Sequence, residues 1–232
     1  MPNLPSFIAP IFWGLLLLSV LVFIHEGGHF LAARVCGVRV SEFFLGLPCR
    51  FRLAHRSRRC GTLFGITPLL LGGYAAICGM EHDDSPNASD VLRKINRCGK
   101  ASVQEIAETL ALDSEEVLNA CIMLMSWGSI APVYEGGDNR SRAYYPETYA
   151  TVARDRMGNT VLDGKAFDKE HATTEGEPWS GNIGAAELFK QEKSRTYDGA
   201  SFPRRAFILL AGILVNIIAG MLLLMSVYSL IG

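Results

Sequence analysis

The residues best suited to chemistry are His25, Glu26 and His29, in the sequence His-Glu-Gly-Gly-His within an apolar run, residues 7–33. Two histidines four residues apart on a helix lie about 40° apart around its axis, so both imidazoles can reach one metal ion. Glu26 lies roughly 100° from His25, close enough to act on a metal-bound water without binding the metal. The spacing therefore predicts a metal-dependent hydrolytic site.

The setting of this motif strengthens the prediction. Ionisable side chains are costly in an apolar segment of membrane length, and there they indicate a functional site by default. The alternative is a soluble core helix with two buried histidines, which the apolar character of the run on all its faces disfavours. The His-Glu-x-x-His pattern is itself typical of zinc metalloproteases.

The helices that must position these residues are predicted from the uneven distribution of residues along the chain, because both ends are apolar and the middle is polar. The 232-residue chain has a net charge of −1, so nothing global indicates nucleic acid binding. Residues 1–6 carry no Lys or Arg, which favours a retained membrane helix over a signal peptide. Seven arginines against one glutamate follow within residues 34–59, so the positive-inside rule places this loop in the cytoplasm and the N-terminus outside.

A second spanning helix is predicted over residues 206–231, an uncharged run that Arg204 and Arg205 precede. Residues 34–203 are then cytoplasmic. Asn216 is the strongly polar residue of this run. It is interpreted either as the donor or acceptor of a hydrogen bond between helices or as a substrate contact.

Residues 61–80 are apolar but are interrupted repeatedly by Gly and Pro, so they make a poor spanning helix. Two short strands joined near residues 68–73 fit this pattern better. Such a hairpin either enters the membrane under cover of protein or a water-filled cavity, or lies on a surface. The pattern alone leaves these alternatives open.

Residues 89–148 are predicted to form a compact soluble module of three helices and a hairpin. The predicted helices are capped by Ser89 and Asp90, by Ser102 in a capping box with Glu105, and by Asp113. Two strands, 130–134 and 143–145, are joined by a turn at residues 136–139. This order of elements resembles a winged helix-turn-helix.

The charge of the module argues against DNA as its partner. It contains six Lys and Arg against nine Asp and Glu, and its third helix opens with Asp113, Glu115 and Glu116. Phosphates would repel such a helix, and only Arg140 and Arg142 are suitably placed in the wing. A protein or small-molecule partner is favoured, and an inserted scaffold without a ligand is the plainer alternative.

Residues 149–203 are polar and without a sustained period, and are predicted to be a flexible linker with a short helix near residues 185–192. The linker contains Leu162-Asp163-Gly164.

These residues together carry a resemblance to a family. Residues 23–34 resemble the first membrane helix of the bacterial site-2 proteases, which are intramembrane zinc metalloproteases. The similarity continues through residues 36–46 and through residues 68–74, which are similar to the family's Pro-Leu-Gly-Gly-Tyr in a membrane re-entrant β-hairpin. It resumes over residues 201–220, where Ala-Gly-Ile-Leu-Val-Asn looks like the family's Ala-Gly-Pro-x-x-Asn.

The resemblance implies roles for seven residues. His25 and His29 would bind Zn²⁺, and Glu26 would be the general base that activates the zinc-bound water and later protonates the leaving amine. The hairpin would offer a strand edge to an unwound substrate helix. The substrate-binding residues would be Gly72, Gly73, Tyr74 and Asn216.

The chain departs from the family pattern in several places. Ile213 replaces the family proline, extra residues stretch the hairpin motif at 69–71, and the module at 89–148 is an insertion. The family's third zinc ligand is the Asp of a Leu-Asp-Gly motif on a later membrane helix. Asp163 matches those letters but lies in the polar linker, so the match is interpreted as coincidence. The chain is accordingly expected to be an N-terminal portion of a longer enzyme.

The sequence therefore predicts a mostly α membrane protein with two transmembrane helices, a re-entrant β-hairpin and an inserted α+β winged-helix-like cytoplasmic module. Its segments are residues 1–33, 34–88, 89–148, 149–203 and 204–232. The expected function is a multi-pass intramembrane zinc metalloprotease of the bacterial plasma membrane, acting on single-span membrane proteins such as an anti-sigma-factor-like protein. The alternative is a catalytically incomplete membrane-anchored sensor that uses the module to bind a partner.

Overall fold

Two long apolar helices frame the computed structural model, which describes residues 4–80, 85–134 and 145–231. Helix α1 is Leu4–Val35 and helix α6 is Phe202–Ile231. Within them, Ile8–Val35 and Phe202–Leu230 are long and apolar enough to cross a membrane. The helices pack against each other, and most of their other large apolar side chains are exposed. The two predicted spanning segments are thus both helical.

Four strands between α1 and the inserted module form a mixed sheet in the order β2-β3-β1-β4. Strand β1 pairs parallel to β3 and antiparallel to β4, and β2 pairs antiparallel to β3. The strands are β1 Val40–Leu45, β2 Leu53–Arg56, β3 Leu63–Ile66 and β4 Gly73–Ile77.

The predicted hairpin over residues 61–80 is therefore wrong in its pairing. Its two strands form as β3 and β4, but β1 lies between them. Strand β1 carries apolar side chains on both faces, as the buried Phe43 and Phe44 show, and such a strand is best placed at the centre of a covered sheet. The fold is a mixture of helix and sheet and not mostly α.

Aromatic side chains join this sheet to α1. Phe43 of β1 packs against Phe23 and Phe30 of α1, with ring centroids 5.1 and 5.0 Å apart. Phe64, the partner of Phe43 in the ladder, also contacts Phe30. Aromatic pairs at this spacing stabilise packing beyond the area that they bury. The sheet is thereby fixed beside the helical turns that carry His25, Glu26 and His29.

The inserted module contains three helices and a three-stranded antiparallel sheet in the order β5-β7-β6. The predicted capping box is confirmed: Ser102 Oγ accepts from Glu105 N–H, and Glu105 accepts from Ser102 N–H. Asp113 also caps its helix, by accepting from Glu115 N–H. The elements are α2 Ala88–Cys98, β5 Lys100–Ser102, α3 Val103–Leu110, α4 Ser114–Ser126, β6 Ile130–Val133 and β7 Thr148–Thr151.

Two details of the module differ from the prediction. Helix α2 begins after Asn87, which makes no side-chain capping bond, so Ser89 and Asp90 lie inside the helix. The strand that pairs with β6 is Thr148–Thr151, and Tyr145 precedes it. The predicted turn at 136–139, Arg140 and Arg142 lie outside the described residues.

Residues 149–203 are not a structureless linker. They contain the end of β7, a short 3₁₀ helix, Val161–Ala166, and helix α5, Ala185–Ser194, which confirms the predicted short helix. Trp179 and Leu188 join the apolar core of the module. The polar composition concealed this order because many of the polar groups are paired with one another.

The pairing is concentrated in a buried ion cluster of Arg39, Arg154, Asp163 and Glu192. Glu192 accepts from Arg39 at 2.6 Å and from Arg154 at 3.0 Å, and its side chain is 0% exposed. Burial by itself raises the pKa of Glu192, but Arg154 and Arg39 outweigh burial and hold that pKa well below its ordinary value. The cluster links the start of β1 to the polar segment and, through a hydrogen bond from Ser129, to the module.

Candidate metal centre between the two apolar helices

The two histidines of the motif lie side by side on α1. Their Nε2 atoms are 3.1 Å apart, and the ring planes are close to perpendicular at 83°. Two nitrogens bound to one tetrahedral zinc ion, each about 2.0–2.1 Å from it, are separated by roughly 3.3 Å. The observed separation is therefore close to that of a shared metal ion.

A backbone carbonyl of α6 determines which ring nitrogen of His29 carries the proton. His29 Nδ1 lies 2.7 Å from Ile208 O, and because a carbonyl can only accept, Nδ1 carries the proton. In the neutral ring Nε2 then presents a lone pair. A hydrogen bond of this kind fixes the tautomer and the ring orientation of metal-binding histidines.

Asn216 of α6 faces His25 in the corresponding way. The distance from Asn216 Nδ2 to His25 Nδ1 is 3.3 Å. The other amide atom, Asn216 Oδ1, is buried without a hydrogen-bond partner among the described residues. With the amide turned so that Oδ1 faces His25, this oxygen accepts from Nδ1–H, and Nδ2 becomes the amide atom without a partner among the described residues. Both Nε2 lone pairs then point at each other, an arrangement that fits a cation between them.

Gly212 keeps the space in front of the two rings open. A Cβ atom at this position would lie 2.5 Å from His29 Nε2 and 2.8 Å from His25 Nε2. On α1, Gly28 faces α6 so closely that its Cβ would lie 2.7 Å from Ala211 O. Small residues on both helices thus bring the α6 backbone to the face of α1 that carries His25 and His29.

Glu26 lies beside the outer edge of β4. Its Oε2 accepts from Ala75 N–H at 3.2 Å. In the described part of the sheet β4 pairs with β1 alone, so its other edge faces the carboxylate. A general base at a strand edge can act on a peptide that is laid along that edge.

The predicted substrate-binding residues lie at different places around this edge. Gly73 begins β4 against Phe23 of α1, and Gly72 O accepts from Gly46 N–H at 2.6 Å. Tyr74 stacks on Phe44 and donates to Glu42, on the sheet face opposite α1. The structure thus brings Gly73 and Asn216 to the side of the histidines, and directs the Tyr74 side chain away from them.

Asp163 is engaged elsewhere. Its two carboxylate oxygens accept from Arg39 at 2.7 and 2.6 Å, and Arg195 also donates to it. Among residues 4–80, 85–134 and 145–231, no group of three or more His, Cys, Asp or Glu is placed to hold a metal ion.

Sequence reasoning missed Ile208, Gly212 and Ala75. Ile208 and Ala75 act through backbone atoms, which no side-chain pattern reports. Gly212 lies in the segment similar to the family's Ala-Gly-Pro-x-x-Asn. The resemblance therefore marked this position but did not indicate that a side chain there would clash with the histidines.

Comparisons with known proteins agree with this geometry. A family model described as "Peptidase family M50" matches residues 13–232. A Helicobacter pylori protein named "Putative zinc metalloprotease" is 40% identical over 73 residues, covering 30% of this chain and 19% of the relative. A Xylella fastidiosa protein of the same name is 44% identical over 69 residues, covering 30% and 15%. The Enterococcus faecalis "Probable protease eep" is 38% identical over 69 residues, covering 30% and 16%.

The chain therefore spans about a fifth or less of the length of these relatives. The family match nevertheless extends over most of the chain and includes both apolar helices. The cofactor of the family is zinc, which the two histidines and their hydrogen-bond partners fit. This chain, a membrane protein, belongs to peptidase family M50.

Proposed function

We propose that this chain is the part of a site-2-type intramembrane protease that supplies two zinc ligands and the general base. The observation that carries the proposal is the facing pair of Nε2 atoms on His25 and His29, with Glu26 one residue away at a strand edge. The reaction is hydrolysis of a peptide bond within a transmembrane segment of a single-span membrane protein, as in regulated intramembrane proteolysis.

The roles of the side chains follow from their positions. His25 and His29 hold the zinc ion, and Asn216 and Ile208 O keep their rings oriented. Zinc, when bound, supplies a Lewis acid that polarises a carbonyl and lowers the pKa of water. Glu26 takes the proton of the attacking water and gives it to the leaving amine.

The substrate is proposed to add as a strand to the free edge of β4. Gly73 and Ala75 are two residues apart, so their main-chain groups face the same free edge, where an unwound substrate segment can pair with them. A helix protects its own peptide bonds, so it must be opened before Glu26 can act on it. Gly72 and Tyr74 shape the start of this strand, and Asn216 has a second role in holding the substrate.

The proposed location is a bacterial plasma membrane, with the N-terminus outside and residues 34–203 in the cytoplasm. The arginine-rich stretch after α1 supports this orientation. Exposed apolar side chains support membrane contact of the sheet, since Phe51 and Leu53 are 75% and 78% exposed. The three leucines between β3 and β4, Leu69–Leu71, are also exposed.

The module is proposed to be winged-helix-like and to bind a protein or small molecule and not DNA. The order helix, strand, helix, helix, strand, strand supports this fold. Helix α4 begins with Asp113, Glu115 and Glu116, which would repel phosphates. Strong, salt-dependent binding of the full chain to duplex DNA would contradict this assignment.

The protease proposal is tested by Glu26→Gln, which keeps the shape of the side chain and removes the base. We expect cleavage of a single-span substrate by the protease that contains this chain, reconstituted in proteoliposomes, to fall by at least about 100-fold, because general-base catalysis contributes that much. Zinc content should not change. Glu108→Gln removes an exposed carboxylate from α3 and should leave cleavage at the wild-type rate.

Cleavage that survives Glu26→Gln contradicts the mechanism. A wild-type protein that neither binds zinc tightly nor cleaves a single-span substrate favours the alternative of a membrane-anchored sensor, whereas a tight zinc site counts against that alternative.

A further inference from the structure

A cavity lies in the inserted module, away from the histidines. It has a volume of about 290 Å³ and lies between α2 and the start of α5. Its apolar wall includes Leu92, Trp179 and Leu188, and its polar lining includes Arg93, Asn96 and Arg97. This volume is near the lower end for small-molecule sites in proteins.

Asn96 is the unusual residue of this cavity. Its side chain is buried, with 3% of the residue exposed, yet neither Oδ1 nor Nδ2 has a hydrogen-bond partner among the described residues. Its backbone carbonyl accepts from Trp179 N–H at 2.7 Å, which fixes the main chain beneath it. Buried amides without partners are rare in folded proteins, so this one points to a group that the cavity receives.

The start of α5 adds positive electrostatic potential. Gly184 and Ala185 line the cavity, and Gly184 caps the helix without a side-chain hydrogen bond. The first N–H groups of a helix have no partner within it and favour an anion. In the first turn of α5, Glu187 is the one opposing charge.

Two arginines of α2 reinforce this potential. Arg93 and Arg97 line the same cavity, and both are exposed. Arg93 is partly neutralised by Asp90, which it contacts at 2.6 Å. Arg97 therefore supplies the larger share of the positive charge at the rim.

We propose that this cavity binds a small organic carboxylate with an apolar body. The carboxylate would accept from the α5 N-terminus, the Asn96 amide and Arg97, and the apolar body would lie against Trp179 and Leu188. Inorganic anions lack the apolar part that this wall requires. The inference stands apart from proteolysis, because it concerns binding to the module.

The test is isothermal titration of the detergent-solubilised full chain with benzoate, acetate and inorganic phosphate at millimolar concentrations. We expect saturable binding of benzoate, with acetate and phosphate weaker. Asn96→Leu should weaken benzoate binding about tenfold or more, since it removes a hydrogen bond to a charged group. It should also raise the melting temperature, because an unpaired buried amide is replaced by an apolar side chain.

Two further variants complete the test. Arg97→Gln should also weaken benzoate binding, whereas Lys190→Gln removes an exposed positive charge from α5 outside the cavity and should leave it unchanged. No saturable benzoate binding to the wild type overturns the proposal, as does wild-type affinity in Arg97→Gln. Equal affinities for benzoate, acetate and phosphate overturn the assignment of an apolar body. Should Asn96→Leu fail to fold, Arg97→Gln decides.

Discussion

At the scale of single residues, the metal centre depends on which ring nitrogen each histidine turns toward the other. Ile208 O fixes the proton of His29 on Nδ1, and Asn216 can do the same for His25. When both histidines carry their protons on Nδ1, the two Nε2 lone pairs at 3.1 Å repel each other, and a cation bound by both makes the interaction attractive. The partners on α6 thus orient the two rings as the proposed zinc site requires.

Gly212→Ala should remove zinc while the helix remains intact. The new Cβ would lie 2.5 Å from His29 Nε2, in the space that the metal requires, so we expect at least about a tenfold loss of zinc affinity. Gly220→Ala on the same helix meets no described atom within 4 Å and is the control. Zinc content by elemental analysis is the measurement, and equal content in the two variants would refute the placement of the metal.

Asn216→Leu should lower zinc affinity about 10–100-fold, the usual effect of losing the partner of a metal-binding histidine. Competition with a zinc chelator measures this change. Ser226→Ala, which removes a hydroxyl bonded only locally to Leu223 O, serves as the control. Unchanged zinc affinity with weaker substrate binding would instead assign Asn216 to the substrate alone.

At the scale of elements, the contact between α1 and α6 depends on small residues. Gly28 meets the backbone of Ala211 and Gly212, which lets the two helices approach closely enough for α6 carbonyl and amide groups to reach the histidines. The sheet acts on the other side of α1, where Phe43 and Phe64 hold β4 near Glu26. The candidate site therefore depends on the packing of α1 between α6 and the four-stranded sheet.

Gly28→Ala tests this packing, because it should change the melting temperature in the opposite direction from Gly14→Ala. Glycine in a helix interior is normally destabilising by about 0.5–1 kcal/mol relative to alanine, so Gly14→Ala, which meets no described atom within 4 Å, should keep or raise the melting temperature. Gly28→Ala should lower it and release zinc, because its Cβ would lie 2.7 Å from Ala211 O. Thermal unfolding in detergent micelles gives the comparison. A rise in both variants would contradict the close approach.

At the scale of the whole molecule, buried charges join the sheet to the module and the polar segment after it. Arg39 lies just before β1, Arg154 just after β7, and Glu192 near the end of α5. Burial disfavours the charged form of Arg39, but Glu192 and Asp163 more than compensate, so its pKa is raised above its ordinary value. Ionised Glu192 is the group that pairs with both buried arginines and so contributes to joining the three segments.

Glu192→Gln should lower the free energy of unfolding by about 3–5 kcal/mol at neutral pH, because it leaves two buried arginines without their shared partner. The depressed pKa of Glu192 means that its contribution is complete at neutral pH and is lost progressively below about pH 5. The difference between wild type and variant should therefore shrink on acidification. Glu187→Gln, exposed on the same helix, is the control for thermal unfolding at both pH values.

A difference between wild type and Glu192→Gln that is constant from neutral to acidic pH would contradict this account of the cluster.

Short-range patterns determined much about this protein. The four-residue spacing of His25 and His29 is a property of one helix, and so are the apolar lengths of α1 and α6 and the capping box at Ser102. Such features involve neighbours along the chain, and the amino-acid types alone therefore specify them. The resemblance added the family, which the match over residues 13–232 confirms.

Only the tertiary structure decided the rest. The central place of β1, the pairing of Arg39 with Glu192, and the approach of Asn216 to His25 join residues far apart in sequence; the last pair is separated by 191 positions. Neither hydrophobic period nor propensity specifies which distant partner a strand, a charge or an amide will meet. The sequence by itself thus determined which side chains could do chemistry, and packing decided what orients them, because the orienting groups, the carbonyl of Ile208 and the side chain of Asn216, are distant in sequence and meet the histidines only in the folded chain.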